Sequence, residues 1–406
     1  MIYNNYIEIL FILFYFFKNT LYYIFNNDKY LLIKNFCKDL SRLNIVYIKI
    51  FQSISINSSF FDKKTQDYLI KYTDNVPFTI EDIDYNALNY IKQYIEIDEY
   101  PINSGIFAIV YKGKYNNKDV AVKILKKNIK NRLNNCITNL EIVFYICNLI
   151  PKIKKFNLYD FLMQNKNNLI NQTSFHIESK NLKNFKECLS ENNDIVIPEI
   201  VDRFTQTNIM VMNYIEGRKF TQLKKEEYDK YGKLLLNIYF CKNGICNYMH
   251  SDLHVGNILF LDNKICILDF GLVIKIDDEY ISLYFDLLHS CIIDEDYDFI
   301  YNNFNSFLSK KLDLDKLTVD EKNFLKISLH QSTKYVFENK LDLIYLFNEI
   351  DKIIKIYNVS ININISEIIF SYTFIFNTLN ELLNQSTMDV FKSEFKKIFD
   401  YVDLDS

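Results

Sequence analysis

Four polar side chains stand at spacings that suit charge neutralisation around a triphosphate. Lys123 ends the apolar run Val120-Ala121-Val122, where a strand would hold its ammonium against the α- and β-phosphates. Asp252 and Asn257 share one segment, His250-Ser251-Asp252-Leu253-His254-Val255-Gly256-Asn257, which supplies a base and a metal ligand from one loop. Asp269 follows in Leu268-Asp269-Phe270-Gly271 and supplies a second metal ligand. Each segment alone is a weak signal. Their order along the chain and the short interval from Asn257 to Asp269 make the set specific. The chemistry such a set would serve is phosphoryl transfer from ATP with Mg²⁺, which depends on positioning and charge more than on covalent help.

These groups need elements to hold them. Residues 1–95 read as mainly helical, with apolar spacing through Leu40, Leu43, Val46, Tyr47 and Ile50. Pro101 and Asn103-Ser104-Gly105 predict a break. Ile109-Val110-Tyr111, a turn at Asn116-Asn117 and Val120–Leu125 predict a hairpin. Helical character returns over 136–190. Residues 195–198 and 209–214 read as two more strands, and Ile258–Phe260 and Ile265–Leu268 as short strands around Asp262-Asn263. The expected fold is α+β and bilobal. It comprises a helical N-terminal extension (1–95), a sheet-bearing lobe with an insert (96–216) and a helical C-terminal lobe and tail (217–406), with nucleotide bound between the lobes.

Lys123 is useful only when an acidic residue steadies its ammonium, and two candidates are Glu141 and Glu178. Ordinary protein-kinase spacing favours Glu141. The longer pattern, however, resembles the UbiB/AarF-domain family of atypical kinase-like proteins, linked to coenzyme Q and other isoprenoid lipid metabolism. Residues 250–257 resemble its His-x-Asp-x-His-Pro-Gly-Asn loop, with Val255 in place of proline. Gln172–Leu182 resembles its Glu-x-Asp-Phe-x-x-Glu-Ala-x-Asn-Leu stretch. Lys49-Ile50-Phe51-Gln52, followed by Asp74-Asn75-Val76-Pro77, resembles its N-terminal extension, and Met212–Gly217 its hinge. The resemblance implies a kinase-like fold and makes Glu178 the partner of Lys123. It implies Asp252 as base, Asn257 and Asp269 as metal ligands, and nucleotide contacts from Ser104, Gly105, Val110, Asn213 and Tyr214.

Departures from the pattern bear on function. Gly105 is the only glycine left in the loop that covers phosphate, so close backbone approach is possible at one point. Phe51 replaces a glycine, and Gln172 and Ser174 replace two acids. A charge-assisted contact to Lys49 becomes neutral, which predicts a looser lid over the site. The prolines are 77, 101, 151 and 198, so no Ala-Pro-Glu segment follows Asp269 to build a peptide platform. The expected acceptor is a small molecule, a lipid or water. Two alternatives stay open: a nucleotide-binding regulatory module without turnover, and a divergent protein kinase.

Composition sets outer limits. The chain has 406 residues with 49% hydrophobic and 24% charged, which excludes wholesale disorder. Its net charge of −4 gives no reason to expect nucleic acid as a partner. Eight scattered cysteines, with no second pair or histidines at zinc spacing beside Cys241 and Cys246, predict buried free thiols in an intracellular, reducing compartment. Ile9–Phe17 is apolar, but Lys18-Asn19-Thr20 interrupts it before Leu21–Phe25. The expectation is therefore an amphipathic helix that is buried or rests on a membrane surface, with a true anchor as the lesser alternative.

Overall fold

The computed structural model of the chain describes residues 5–56, 63–70, 76–149, 158–240, 247–339, 343–357 and 359–402. Asp74, Asn75, Cys241 and Cys246 lie outside the described residues. Residues 1–180 with 198–214 form one compact unit, and residues 181–197 with 215–406 form another.

The first unit is built on a four-stranded antiparallel sheet in the order β1 (Glu96–Ser104), β2 (Ala108–Tyr115), β3 (Lys118–Leu125), β5 (Ile209–Asn213). Asn116 and Asn117 both take positive φ, 49° and 61°, as a two-residue hairpin whose twist matches its strands requires. β1 corrects the expected break at 101–105. Pro101 lies within the strand because β1 is an edge, and the register shifts on both sides of it. Gly113 permits this pairing, since a Cβ there would lie 2.6 Å from the Glu96 carbonyl oxygen.

Helices cover the same unit: α1 (Asn5–Asn26), α2 (Lys29–Leu43), α3 (Val46–Ile56), α4 (Lys63–Ile70), α5 (Tyr85–Ile91), α6 (Ile129–Cys147) and α7 (Leu158–Asn171). Asp28 caps α2 by accepting from Leu31 N at 3.0 Å, a standard way of satisfying a helix's first amides. α1 is continuous through Lys18-Asn19-Thr20, which corrects the expectation of a run too short to span. Lys18 Nζ and Asn19 Nδ2 both reach Asp39, at 2.9 and 3.0 Å, so the polar interruption is tied to α2. Tyr6–Asn26 is thus long and apolar enough to cross a membrane by length and composition.

The segment with Lys49 and Gln52 forms α3, and it is not loosely held. Val46, Tyr47, Ile48, Ile50 and Phe51 are all buried, and Phe51 packs edge-on against Phe36 and Phe144 with ring centroids 5.8 and 6.4 Å away. Gln52 Nε2 donates to Leu69 O at 2.6 Å. Aromatic packing holds α3 against α2 and α6.

The second unit is mostly helical and carries two small sheets. Helix α8 (Phe175–Cys188) belongs to it from Asn181 onward. β4 (Ile195–Val196) pairs in parallel with β8 (Ile265–Ile267), and β8 pairs with β7 (Ile258–Phe260). β6 (Tyr248–His250) pairs with β9 (Val273–Lys275), two strands the sequence did not reveal. The helices are α9 (Lys225–Phe240), α10 (Asp278–Ile292), α11 (Phe299–Asn302), α12 (Val319–Asn339), α13 (Leu343–Lys355), α14 (Ile363–Leu382) and α15 (Thr387–Val402). Cys37, Cys136, Cys147, Cys266 and Cys291 are buried free thiols. Cys188 is disulfide-bonded, which corrects the all-thiol expectation. Pairing depends on approach in space, which linear spacing does not report.

Candidate active site

In the first unit the site is built around Lys123. It stands opposite Val110 on one side and Met210 on the other, so its strand is central and its stem is enclosed. Glu178 lies in the first turn of α8, where a carboxylate suits the helix dipole. The start of that helix is fixed to the sheet's approach loop: Phe175 N donates to Thr207 O at 3.0 Å, and Leu125 N to Asn208 O at 3.0 Å. Lys123 Nζ meets Glu178 Oε1 in a buried ion pair, and the Phe175 ring centroid lies 5.7 Å from the same ammonium. Glu141 is engaged elsewhere, with Lys166 at 3.3 Å. The spacing argument for Glu141 fails because α6 directs that residue toward α7.

The other nucleotide candidates divide into side chains already committed and positions left open. Asn213 takes the Glu199 amide proton on its Oδ1 and donates its own backbone N–H to Glu199 O at 2.9 Å. Tyr214 N donates to Asp119 O at 3.0 Å, and Lys112 Nζ lies 4.4 Å from its ring centroid. Ser104 is buried, with its carbonyl accepting from Val76 N at 2.8 Å. A Cβ on Gly105 would meet only Ala108 O, at 3.8 Å, and its φ is not positive. No protein contact therefore demands glycine there, and the space beside it is open. Val110 is half-buried.

In the second unit the two acidic segments are tied into one body. His250 and Ser251 are fully buried, while Asp252, Asn257 and Asp269 are half-exposed. Asp252 N donates to His250 Nδ1 at 3.2 Å, so the ring proton sits on Nε2 and is donated to Asp269 O. Burial pulls the His250 imidazole below its usual value and keeps it neutral, as that pair of bonds requires. Ser251 N donates to Leu272 O at 3.0 Å, and Leu268 N to Asn257 O at 3.0 Å. Asn181 Nδ2 adds a bond to Phe270 O at 3.0 Å, and Phe270 is buried beside Phe185 and His250, with ring centroids 5.4 and 5.7 Å away. His250 and Asn181 are positioning residues that stand within the motifs read from sequence but had no role assigned there.

The donor set suits a hard cation. Asn257 Nδ2 donates to Asp252 O at 2.9 Å, which leaves the Oδ1 lone pairs for a metal, and Asp269 Oδ1 takes the Gly271 amide at 2.9 Å. Among the described residues there is no cluster of three or more His, Cys, Asp or Glu side chains that could hold a metal by itself. Two oxygen ligands completed by phosphates and water are how Mg²⁺ is usually bound at nucleotide sites.

A family model of the ABC1 atypical kinase-like domain matches residues 85–304. A putative ABC transporter of Paramecium bursaria Chlorella virus 1 is 24% identical over 261 residues, 63% of this chain and 54% of that one. A probable protein kinase UbiB of Blochmanniella pennsylvanica is 26% identical over 239 residues, 54% and 43% of the two chains. The chain spans about half the length of the curated relatives it matches. Among solved structures, the Mycobacterium tuberculosis protein Rv3197 in complex with erythromycin is similar at 16% identity and a TM-score of 0.49. That match covers 75% of this chain and 77% of the other.

Proposed function

Because this chain belongs to the ABC1 atypical kinase-like family and has a kinase-like fold, we propose that it binds ATP with Mg²⁺ and transfers the terminal phosphoryl group. The acceptor is a small molecule, a lipid or water. The observation that carries this reading is the buried Lys123–Glu178 pair. A buried ion pair adds little net stability over packed apolar residues, so its presence points to a use for the charge. Lys123 would neutralise phosphate, and Glu178 would hold it in place. Asn257 and Asp269 would hold Mg²⁺, which when bound neutralises charge developing on the phosphoryl oxygens. Asp252 would accept the acceptor's proton, its backbone fixed by His250.

Two further observations narrow the acceptor. No proline follows Asp269, so the usual peptide platform is missing from the sequence. Along α1, Leu10, Phe14, Phe17, Leu21 and Phe25 are exposed, which offers an apolar face to a lipid surface. The second reading, a regulatory module that binds nucleotide without turnover, is favoured by Gln172 and Ser174 standing where two acids are expected.

ADP release by the full chain with Mg²⁺, measured with and without anionic vesicles, tests both. Turnover that Asp269→Asn abolishes, with weakened Mg-nucleotide binding, supports the enzyme. Tight nucleotide binding without turnover supports the module. If Asp269→Asn binds Mg-ATP as well as the parent, the metal assignment is wrong.

A further inference from the structure

Helix α14 lies beyond residue 304, where the matched domain ends, and two of its hydroxyl residues, Ser371 and Thr378, are almost wholly buried. A buried hydroxyl needs an acceptor, and a helix offers one at the carbonyl four residues back. Four side chains here take that route: Ser366 to Asn362 O, Ser371 to Glu367 O, Thr373 to Ile369 O and, in α12, Thr333 to Leu329 O, at 2.8 to 3.0 Å. Thr378 does otherwise. Its Oγ1 donates to Leu253 O at 2.7 Å, across to the loop that carries Asp252.

Ser371 reaches the same loop. Its Oγ lies 2.5 Å from Ser251 Oγ, a bond in which either hydroxyl can donate, with Glu367 O and Met249 O as the neighbouring acceptors. Ser371 and Thr378 stand seven residues apart, on one face of the helix and about 10 Å along its axis. Ser251 and Leu253 are the immediate neighbours of Asp252. Both are fully buried, whereas Asp252 is half-exposed.

We propose that α14 is a strut for the catalytic loop, with Ser371 and Thr378 as positioning residues that pin the backbone on either side of Asp252 and so fix its aim. This rests on the reading of Asp252 as the base. A helix outside the matched domain then sets the geometry of a motif inside it. Displacement of a reacting group by about 1 Å can cost on the order of a hundredfold in rate.

The test compares Thr378→Val, which keeps the shape and removes the donor, with Thr378→Ser, which restores it, and with Thr373→Val as a control whose bond stays within the helix. Steady-state ADP release and amide exchange across 250–257 are measured on the full chain. The strut requires that Thr378→Val lower kcat about tenfold or more. It also requires KM for Mg-ATP to stay within about twofold, exchange at the loop to rise, and Thr378→Ser to recover most of the rate. Parent-like kcat in Thr378→Val overturns it, as does a loss that Thr378→Ser does not recover or that Thr373→Val reproduces. A parent without turnover removes the reading of Asp252 instead. In that case unchanged loop exchange in Thr378→Val overturns the strut separately, and raised exchange confined to that variant upholds the pinning.

Discussion

Lys123 and Glu178 sit where water is nearly excluded, so each is tolerated because of the other. Glu178→Ala leaves a buried ammonium without its counter-charge, and stability should fall by about 3–5 kcal/mol. Glu178→Gln keeps the shape and should cost less stability while lowering nucleotide affinity. Urea unfolding and nucleotide titration on both variants separate the two effects. The choice of Glu178 over Glu141 was legible only through the pattern of residues 172–182. Spacing from Lys123 pointed the other way, because spacing does not report that Phe175 N ties the start of α8 to Thr207.

A second residue-scale prediction concerns Glu367, whose carboxyl burial pushes above its ordinary value of 4.5. A carboxyl raised in the folded state favours folding only while protonated, so its cost appears as pH climbs through the raised value and is complete above it. Glu367→Gln should therefore raise Tm at pH 7, with the gain vanishing below about pH 4.5. Thermal unfolding across that range checks the sign.

Among the elements, α3 shows what a substitution read only as a loss can add. Phe51 stands where the resembling pattern has glycine, and the sequence shows it only as a departure from that pattern. The structure shows an aromatic wedge between α2 and α6. Phe51→Gly should destabilise by about 3–5 kcal/mol through the cavity it opens. Amide exchange over residues 46–52 should be slow in the parent, unchanged in Lys49→Ala and fast in Phe51→Gly. Other elements were legible to different degrees. The hairpin of β2 and β3 announced itself through Asn116-Asn117, a local signal. β1 was hidden because proline within a strand is acceptable only at an edge, and edge position is a tertiary fact. β6 and β9, three residues each, carry no periodicity long enough to read, yet their pairing seats His250.

At the scale of the molecule, α1 carries more exposed large hydrophobic side chains than any other described helix. Its two charged residues are engaged, Glu8 with Tyr47 and the half-exposed Lys18 with Asp39, and apolar side chains dominate the exposed face. Flotation with neutral and anionic vesicles should show binding that varies little with salt, since screening acts on charge and not on apolar contact. Replacing Leu10, Phe14, Phe17 and Leu21 together with serine should abolish flotation. It should leave Tm nearly unchanged, because exposed substitutions usually shift stability by about 0.5 kcal/mol or less each. The sequence showed the apolar run but not its use, because Asp39, which absorbs the polar interruption, is distant along the chain. The buried thiols, finally, make the protein its own clock. Burial pushes Cys147 up to about 11 and Cys266 to about 12, and raises Cys37, Cys136 and Cys291 as well, so none reacts as a thiolate while folded. Three of these lie in the first unit and two in the second. A maleimide pulse read by peptide mass should therefore time the opening of each unit separately, with equal rates at all five marking a single cooperative event and staggered rates ranking the units by stability.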